Sequence, residues 1–437
     1  MNNSHPKSVE ILNRNQHNIS RKDISSNALK VLYRLSAENY EAYLVGGCVR
    51  DLLLGQKPKD FDIVTDATPE EIKKIFSNCR LIGKRFRLAH ILFGREIIEV
   101  ATFRGHHSGN SIKNISKKSE KGMLIRDNIF GDINEDSERR DFTINSLYYD
   151  IKTFSIRSSE HGLSDLKNRV IKLIGDPYTR YKEDPVRMLR AIRFSVKLNM
   201  SVSNETASPI KELVTLLNEI PGARLFDECN KLFHNGNGYK TYLSLREYII
   251  FQQLFPHINN FLTEDHSSLT EKMIELSLIS TDQRIKNQKR INPAFLYSCF
   301  LWYPLQAKLK EIKDDKDCAS LSSHEQLQVA INWIIDKQIE TISIPKRFTN
   351  TIRDIWYLQN KFLNRTPKRS FRLLEQPKFR AAFDFLEIRG IIEGGETKNL
   401  AKWWDIFQQA DESKASLMLQ SLNHKKSKKG YKRKHKL

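Results

Sequence analysis

The sequence is poor in the features that mark secreted, membrane-spanning or zinc-binding proteins. No apolar run is long enough to cross a bilayer, and the N-terminal residues lack the apolar core of a secretory signal. The five cysteines lie far apart, without the paired spacing of a zinc site or of a disulfide framework. These absences predict a cytoplasmic protein with no membrane span and with reduced, structural cysteines.

Acidic residues are scarce relative to basic ones. The 437 residues contain 72 Lys and Arg but 52 Asp and Glu, which gives a net charge of +20. In the cytoplasm the polyanion most often bound by such an excess is nucleic acid, although a basic surface can also serve solubility alone. The length is too great for one ordinary core, so we expect two or three packed units. A composition of 39% hydrophobic and 28% charged residues is typical of a globular protein.

The most informative stretch of the chain is residues 42–67. It reads AYLVGGCVRDLLLGQKPKDFDIVTDA. This pattern predicts an apolar strand, a turn at Gly46 and Gly47, a short helix that ends at Gly55, and a second strand.

Helical and hairpin signals surround this stretch. Apolar residues between positions 28 and 35 have helical spacing. Thr68 is followed by a proline and then by Glu71, which predicts a helix that begins with a capping box. Two β-rich segments, residues 88–93 and 96–103, flank a Gly-Arg pair and predict a hairpin with a tight turn.

The remaining segments give simpler predictions. Residues 105–122 have no apolar periodicity, so we expect a solvated, mobile loop. After about Leu173 the pattern is helical to the end, with no convincing strand. The last thirteen residues, KKSKKGYKRKHKL, form a basic tail that cannot bury a core and is expected to be disordered.

Asp60 and Asp62 are the first candidates for catalysis. Residues two apart on a strand point to the same face, so both carboxylates should project together while Phe61 and Ile63 pack. Their Cα atoms should be roughly 6.6 Å apart, close enough for converging side chains to share metal ions. Such a pair suits two Mg²⁺ ions in phosphoryl transfer, with Mn²⁺ as an alternative. The pair alone is weak evidence, because alternating polar residues are common on half-exposed strands.

The glycine turn strengthens the case for a nucleotide site. Gly46 and Gly47 would let the backbone approach a triphosphate, and the following helix start could offer N–H groups to it. Arg50 would add a cation. The alternatives are a simple sharp turn and, for Arg50, a surface ion pair with a nearby carboxylate.

A helix rich in arginine is predicted after residue 183. Asp184 could serve as its N-cap, with Pro185 at the first helical position. Arg187, Arg190 and Arg193 recur every three residues, which should place neighbouring guanidinium groups along one side. An aspartate can accept from the amino group of adenine and an arginine can donate to a ring nitrogen, so the pair could read a base edge. The alternative is a solvated helix face.

Three motifs, in this order, resemble the nucleotidyltransferase head of bacterial poly(A) polymerases and CCA-adding enzymes. The first is LVGGCVRDLLLGQKPKDFDIVTDATPEE, at residues 44–71. The second is ERRDFTINSLYYD, at residues 138–150. The third, YKEDPVRMLRAIRFSVKL at residues 181–198, is similar to the nucleotide-base recognition helix of that family, with Asp184, Arg187 and Arg190 in matching positions.

The resemblance implies further roles. Asp141 is expected at the active site, and Arg139 and Arg140 are expected to face the phosphates or the ribose of the nucleotide. The third metal ligand is open between Asp141 and Glu99. From the residues alone, Glu99 stands among apolar neighbours, where metal contact would relieve the cost of a buried carboxylate. The alternative for Glu99 is an ion pair with Arg104 or another cation.

Other segments distinguish the two branches of the family. LIGKRFRLAHILFG, residues 81–94, resembles the segment distinctive of the poly(A) polymerase branch, and the similarity continues to about residue 404. The basic tail could grip RNA phosphates without sequence preference, or it could merely aid solubility. Its cations are Lys425, Lys426, Lys428, Lys429, Lys432, Arg433, Lys434 and Lys436.

We therefore predict an α+β nucleotidyltransferase head with a mixed sheet, followed by an all-helical neck, body and C-terminal domain. The expected activity is template-independent addition of AMP from ATP to RNA 3′ ends, which promotes RNA turnover and implies the RNA-decay machinery as a possible partner. The alternatives are a CCA-adding enzyme and a catalytically inactive RNA-binding protein. The predicted domains are an N-terminal extension (1–39), the catalytic head (40–175), a helical neck that binds the base and RNA (176–265), an RNA-binding helical body and C-terminal domain (266–420), and the basic tail (421–437).

Overall fold

The chain divides into two structural units, residues 1–217 and residues 218–437. The first contains strands and helices, and the described part of the second is built from helices alone. The computed structural model describes residues 9–83, 87–105, 116–118, 124–127, 129–159 and 161–422. Among the helices in these ranges, none is both long and apolar enough to cross a membrane.

The first unit is organised around an eight-stranded sheet. Its strands and those of two small sheets are β1 Glu10–Leu12, β2 Ala42–Val45, β3 Asp62–Thr65, β4 Cys79–Ile82, β5 Leu88–Phe93, β6 Glu96–Thr102, β7 Ser116–Lys118, β8 Leu124–Asp127, β9 Leu147–Asp150, β10 Ile156–Ser158, β11 Val170–Ile171 and β12 Ser201–Val202. The order across the main sheet is β1-β10-β9-β2-β3-β6-β5-β4. The β3 and β6 strands run parallel and the other neighbours antiparallel, so the predicted mixed sheet is confirmed.

Helices pack around this sheet and make up the second unit. Those of the first unit are α1 Ser26–Ala37, α2 Gly47–Leu53, α3 Pro69–Ile75, α4 Ile133–Arg139, α5 Gly162–Lys167, α6 Pro177–Glu183, α7 Val186–Leu198, α8 Asn204–Ala207 and α9 Ile210–Leu213. Those of the second unit are α10 Gly222–Phe233, α11 Gly238–Glu247, α12 Ile250–Leu254, α13 Leu269–Lys286, α14 Pro293–Phe300, α15 Trp302–Asp314, α16 Ser323–Thr341, α17 Lys346–Phe362, α18 Pro367–Leu374, α19 Phe379–Glu393 and α20 Gly395–Gln408.

Local sequence signals explain the elements that carry the candidate site. Thr68 caps α3 as predicted, because its Oγ1 accepts from the Glu71 N–H at 3.4 Å while Glu71 Oε2 accepts from the Thr68 N–H at 2.8 Å. The predicted hairpin is confirmed as β5 and β6, and Gly94 between them has φ 63°, which glycine adopts without strain. The strand, glycine turn, helix and strand of residues 42–67 are also confirmed.

Three predictions about strands were wrong or incomplete. Residues 116–118, expected in a loop, form a strand that pairs with β8, and the rest of residues 106–123 lies outside the described part of the chain. A strand also follows residue 173, because Ser201 and Val202 pair in parallel with β11. For the N-terminal extension only the helix near residues 28–35 was predicted, and β1, which forms one edge of the main sheet, was missed. These strands are two or three residues long, too short for a periodic signal.

Candidate active site

The register between β3 and β6 brings two acidic residues together. Asp62 lies opposite Glu99 on the parallel neighbour strand, and Glu99 lies opposite His90 on β5. Asp62 and Glu99 are both exposed, while the next residues, Ile63 and Val100, are buried. The expected apolar surroundings of Glu99 are therefore wrong: its Oε1 is 3.3 Å from His90 Nε2, and about half of its side chain is in contact with solvent.

Asp60 lies in a short bend that precedes Asp62 in the chain. The strand begins at Asp62, so Asp60 lies just before it rather than on it. The predicted alternation nevertheless holds, because Asp60 and Asp62 are exposed while Phe61 and Ile63 are buried. Among the described residues, no group of three or more His, Cys, Asp or Glu side chains is arranged as a complete metal site. A metal ion held here would therefore take part of its coordination from water or from substrate oxygens.

Asp62 is a carboxylate whose charge the nearby cations do not fully offset. Its pKa is raised to about 6, first because the surrounding protein reduces the hydration of this accessible carboxylate, and then because of the negative charges of Glu99 and Asp60. The Arg140 guanidinium acts in the opposite direction but does not cancel this effect. A divalent ion between these carboxylates would relieve the repulsion, so the donor set fits a hard cation such as Mg²⁺.

A cavity of about 260 Å³ opens beside these carboxylates. Its charged lining residues are the acidic Asp62, Glu99 and Asp136 and the cationic Arg87, Arg104 and Arg140. The remaining lining residues are mainly apolar side chains from β2, β3, β5 and β6, with Phe130. Carboxylates that can hold a metal and cations that can face phosphate are both required by a nucleoside triphosphate site.

Gly46 forms the turn between β2 and α2. It has φ 75° and ψ −126°, a conformation that favours glycine. A Cβ at this position would lie 3.4 Å from the Asn145 backbone oxygen and 3.5 Å from Arg140 Nη1. The Gly46 N–H donates to the Leu147 carbonyl at 3.0 Å, so this amide serves the fold. A Cβ at the neighbouring Gly47 would lie 3.5 Å from an Arg50 nitrogen.

Arg50 is not at the surface. Its side chain is 3% exposed, and its Nε and Nη2 donate to Asp51 Oδ1 at 2.9 and 2.6 Å. Its Nη1 donates to Asn145 Oδ1 at 2.6 Å, and its guanidinium lies 5.3 Å from the centre of the Phe194 ring. Arg50 therefore forms the ion pair that was considered as an alternative, with Asp51, but this pair is buried and does not lie at the surface.

Asn145 was missed by the sequence reasoning. It is buried, and its Nδ2 donates to Asp141 Oδ1 at 3.1 Å while its Oδ1 accepts from Arg50. The signal available was a lone amide in the apolar half of the motif at residues 138–150. Because the amide oxygen and the amide nitrogen of Asn145 are both hydrogen-bonded, Asn145 fixes the positions of Arg50 and Asp141 relative to each other.

Asp141 is bound to α7. Its Oδ2 accepts from Arg190 Nε at 2.7 Å, and its Oδ1 accepts from the Phe142 N–H at 2.8 Å. Burial alone would raise the pKa of this carboxyl, but Arg190, Asn145 and the Phe142 N–H outweigh it and hold the pKa at about 2. Asp141 is thus ionised and paired with Arg190, whereas Asp62 lies beside Glu99.

Arg139 and Arg140 differ in their contacts. Arg140 Nη2 is 2.9 Å from Asp136 Oδ2, and its Nε donates to the Tyr148 hydroxyl at 2.8 Å. Asp136 and Tyr148 are both buried and were missed by the sequence reasoning. Burial alone would lower the pKa of Arg140, but the negative charge of Asp136 outweighs this effect and raises the pKa well above its ordinary value. Arg139 donates to the Gly105 carbonyl, and burial lowers its pKa to about 10.

The start of the arginine-rich helix differs from the prediction by one residue. The α7 helix begins at Val186 after Pro185, and Asp184 ends α6 instead of capping α7 with its side chain. The reason is a tight turn in which the Arg187 N–H donates to the Asp184 carbonyl oxygen at 3.0 Å. Arg187 is buried and donates to Glu183 Oε2 at 3.1 Å, so it points towards α6 rather than into a row of solvated arginines.

Arg190 and Arg193 share an aromatic neighbour. Their guanidinium groups lie 5.5 and 4.9 Å from the centre of the Phe194 ring. The cations predicted at positions 425–436 lie outside the described residues.

Three family models match the chain. The poly A polymerase head domain matches residues 42–172. The probable RNA and SrmB-binding site of polymerase A matches residues 199–262, and the polymerase A arginine-rich C-terminus matches residues 319–436.

Curated relatives and solved structures agree with these matches. Poly(A) polymerase I of Salmonella typhimurium is 55% identical, over 95% of this chain and 89% of the relative. That of Haemophilus influenzae is 50% identical, over 95% and 92%. A CCA-adding enzyme of Lactobacillus helveticus is 36% identical over 48% of this chain and 50% of the relative.

Among solved structures, a tRNA-processing enzyme in its apo form has a TM-score of 0.62 at 21% identity, over 90% of this chain and 94% of that one. The Thermotoga maritima CCA-adding enzyme complexed with tRNA has a TM-score of 0.59 at 20% identity, over 92% and 86%. These two structures establish the shared fold. The curated relatives cover nearly the whole chain and carry the identification: the chain belongs to the bacterial poly(A) polymerase family, within the superfamily that also contains the CCA-adding enzymes.

Proposed function

We propose that this poly(A) polymerase adds AMP from ATP to RNA 3′ ends, without a template, at the cavity beside Asp60, Asp62 and Glu99. The single observation that carries the assignment of the site is the pairing of Asp62 with Glu99 across parallel strands in a cavity that also contains arginines. The reaction joins the α-phosphate of ATP to the terminal RNA hydroxyl and releases diphosphate.

Asp60 and Asp62 are the proposed ligands of two divalent ions, Mg²⁺ or Mn²⁺, with Glu99 as the third carboxylate. When bound, such ions stabilise the charge on the attacking and leaving oxygens. The raised pKa of Asp62 supports this assignment, because its first cause is the loss of hydration of the carboxylate and its second is the negative charge of Glu99 and Asp60, and a divalent ion would offset both.

The arginines around the cavity orient the nucleotide in this proposal. Arg140 lines the cavity and is held in one orientation by Asp136 and Tyr148, so it can face phosphate without losing side-chain entropy on binding. The turn at Gly46 lies next to Arg140, and in this proposal Arg139, the preceding residue, contacts the phosphates or the ribose.

Base recognition is assigned to the segment between α6 and α7. Asp184 is half-buried and could accept from the adenine amino group, while Arg190, fixed by Asp141, could donate to a ring nitrogen. Arg187 holds its side chain against Glu183 and so positions the segment that carries Asp184. Asp141 acts by orienting Arg190 in this scheme.

The proposed partners follow from the same reading. RNA 3′ ends are the acceptor, the basic tail at residues 425–436 contributes phosphate contacts, and the RNA-decay machinery is the setting in which such tails are used. The proposed compartment is the cytoplasm, where ATP and RNA are both present.

The rival with a specific observation in its favour is CCA addition to transfer RNA. It is supported by the solved structures, which share the fold at 20–22% identity. It is disfavoured by the curated relatives, because poly(A) polymerases match at 50–55% identity over about 95% of the chain, whereas the CCA-adding enzyme of Lactobacillus helveticus matches over half of it.

The test is an extension assay with a generic oligoribonucleotide and with a transfer RNA that lacks its CCA end, each supplied with one nucleoside triphosphate at a time. Long products with ATP alone are expected on the oligoribonucleotide. Addition of CTP and then ATP to the transfer RNA alone would overturn the proposal. The folded Asp60→Ala variant should bind RNA but lose extension, and Glu38→Ala, which removes an exposed carboxylate from α1's end, should retain it.

A further inference from the structure

A larger cavity, of about 830 Å³, lies in the second unit. Its walls are formed by α17, by α18 and by the segment between α18 and α19, with His324 near the start of α16. All of its lining residues belong to the second unit, so it is distinct from the carboxylate cavity of the head. None of the site residues assigned above lines it.

One face of α17 forms the first wall. Asp354, Tyr357, Leu358 and Lys361 are spaced at i, i+3, i+4 and i+7, which places them on one side of the helix. Leu358 is buried in the core of the unit and provides an apolar base. This side of the cavity therefore carries the Tyr357 ring and the Lys361 ammonium group next to the buried Leu358.

The second wall is cationic. Arg369 and Arg372 are one helical turn apart on α18, next to Leu373, which belongs to the same core as Leu358. Arg369, Arg372 and Lys361 are exposed, and within the described residues none of the three is in an ion pair. Like charges gathered at one cavity repel each other, and an anion bound between them would relieve that repulsion.

The same cavity offers groups that recognise nucleobases. The Tyr357 ring is half-buried and lies 5.5 Å from the His324 ring, tilted by 36°. The amides of Asn360, Asn364 and Gln376 also line the cavity. Bases stack on aromatic rings with little sequence preference, and amides can both donate to and accept from base edges.

We propose that this cavity binds a single-stranded segment of RNA, with its phosphates on Lys361, Arg369 and Arg372 and a base against Tyr357. A polymeric ligand is favoured over a free nucleotide, because three of the four cations that line the cavity are exposed and spread over two helices instead of converging in an enclosed pocket, with the half-buried Lys378 as the fourth. The inference rests on the proposed function to the extent that RNA is the substrate. It adds a phosphodiester-binding site remote in sequence from the catalytic carboxylates.

Charge removal tests the cation wall. The variant with Lys361→Gln, Arg369→Gln and Arg372→Gln should bind a labelled oligoribonucleotide at least about tenfold more weakly at 0.1 M salt, and its slope of log affinity against log salt should fall by about 2. The matched control is Lys398→Gln, Lys402→Gln and Lys414→Gln, which removes the same charge from exposed positions outside the cavity. The control should retain most of the parental affinity.

Two single variants should change RNA binding in ways that damage to the fold would not explain. Asp354→Asn removes the carboxylate from the wall and should tighten RNA binding. Tyr357→Leu should weaken binding without changing the salt slope, because stacking does not release counterions. Circular dichroism melting compares the stability of all variants.

The binding assay contains no ATP, which separates this inference from the proposed catalytic function. If the triple variant folds and binds RNA with the parental affinity and salt slope, the cavity is not an RNA site. If it loses affinity for AMP, measured by calorimetry, while RNA binding is unchanged, the ligand is a free nucleotide and the inference is overturned. Failure of the parental protein to extend RNA would instead contradict the proposed function.

Discussion

Arg190 on α7 donates from Nε to Asp141 Oδ2 at 2.7 Å. Through Asn145, the same aspartate is linked to Arg50 on α2. The helix assigned to base recognition is therefore connected to the glycine turn of the head by side chains whose hydrogen bonds are made before any nucleotide arrives. Such preorganisation lowers the entropy cost of binding.

Asn145→Leu should disrupt this connection. The substitution removes a hydrogen-bond partner from both Arg50 and Asp141 and should lower the free energy of unfolding by about 2 kcal/mol. Because Asp141 then holds Arg190 less firmly, the KM for ATP should rise more than kcat falls. Urea unfolding and steady-state extension kinetics measure the two effects. Asn168→Ala, at an exposed position, is the control, and an unchanged KM in Asn145→Leu would refute the positioning role.

Arg190→Gln should change how stability depends on pH. The pKa of Asp141 is about 2 in the folded protein and 3.8 for the free group, so its pairing stabilises the fold above pH 4. That contribution, up to about 2 kcal/mol, is lost as the pH falls from about 5 to about 2. Urea unfolding between pH 7 and pH 3 should show a shallower decline in the variant than in the parental protein. Parallel curves would contradict the pairing.

Glu99→Gln should alter the metal requirement rather than the fold. Glu99 is exposed and contacts His90, so its loss leaves the sheet intact. If it helps to hold the ions, the Mg²⁺ concentration that gives half-maximal extension should rise by about 10-fold to 100-fold. Titration of activity with Mg²⁺ measures this, with Glu38→Gln as the control. The same Mg²⁺ dependence in both variants would remove Glu99 from the metal site.

Gly46→Ala should be worse tolerated than Gly55→Ala. Both glycines have positive φ, 75° and 68°, but a Cβ at Gly55 meets nothing within 4 Å, while one at Gly46 meets Asn145 and Arg140. Backbone strain should cost each variant about 1–2 kcal/mol of stability. A larger loss of ATP extension is expected in Gly46→Ala, because only there does the new methyl group come into van der Waals contact with Arg140 and with the Asn145 backbone. Equal extension activities of the two variants would show that the contact at Gly46 does not affect catalysis.

Sequence reasoning predicted the elements whose signals are local. The capping box at Thr68, the hairpin around Gly94 and the alternation at Asp60 to Ile63 each depend on a few adjacent residues. The mixed sheet followed by helices was also predicted correctly.

What the sequence could not provide was long-range pairing. The sequence predicts apolar surroundings for Glu99, but the register of β6 against β3 turns it to the exposed face beside Asp62. Arg50 was expected to add a cation to the nucleotide site or to form an ion pair at the surface, but it is buried, and Asp51 and Asn145 satisfy its guanidinium. In both cases at least one decisive partner lies far away in the chain: Asp62 for Glu99, and Asn145 for Arg50.

The position of β1 has a practical consequence for fragments of this enzyme. The head-domain match begins at residue 42, yet Glu10–Leu12 covers the outer edge of β10, and α1 buries Val31 and Leu32. A fragment cut at the start of the match would uncover both a row of unpaired backbone groups and an apolar surface. Such a fragment would be prone to self-association, since a bare strand edge invites pairing with another copy.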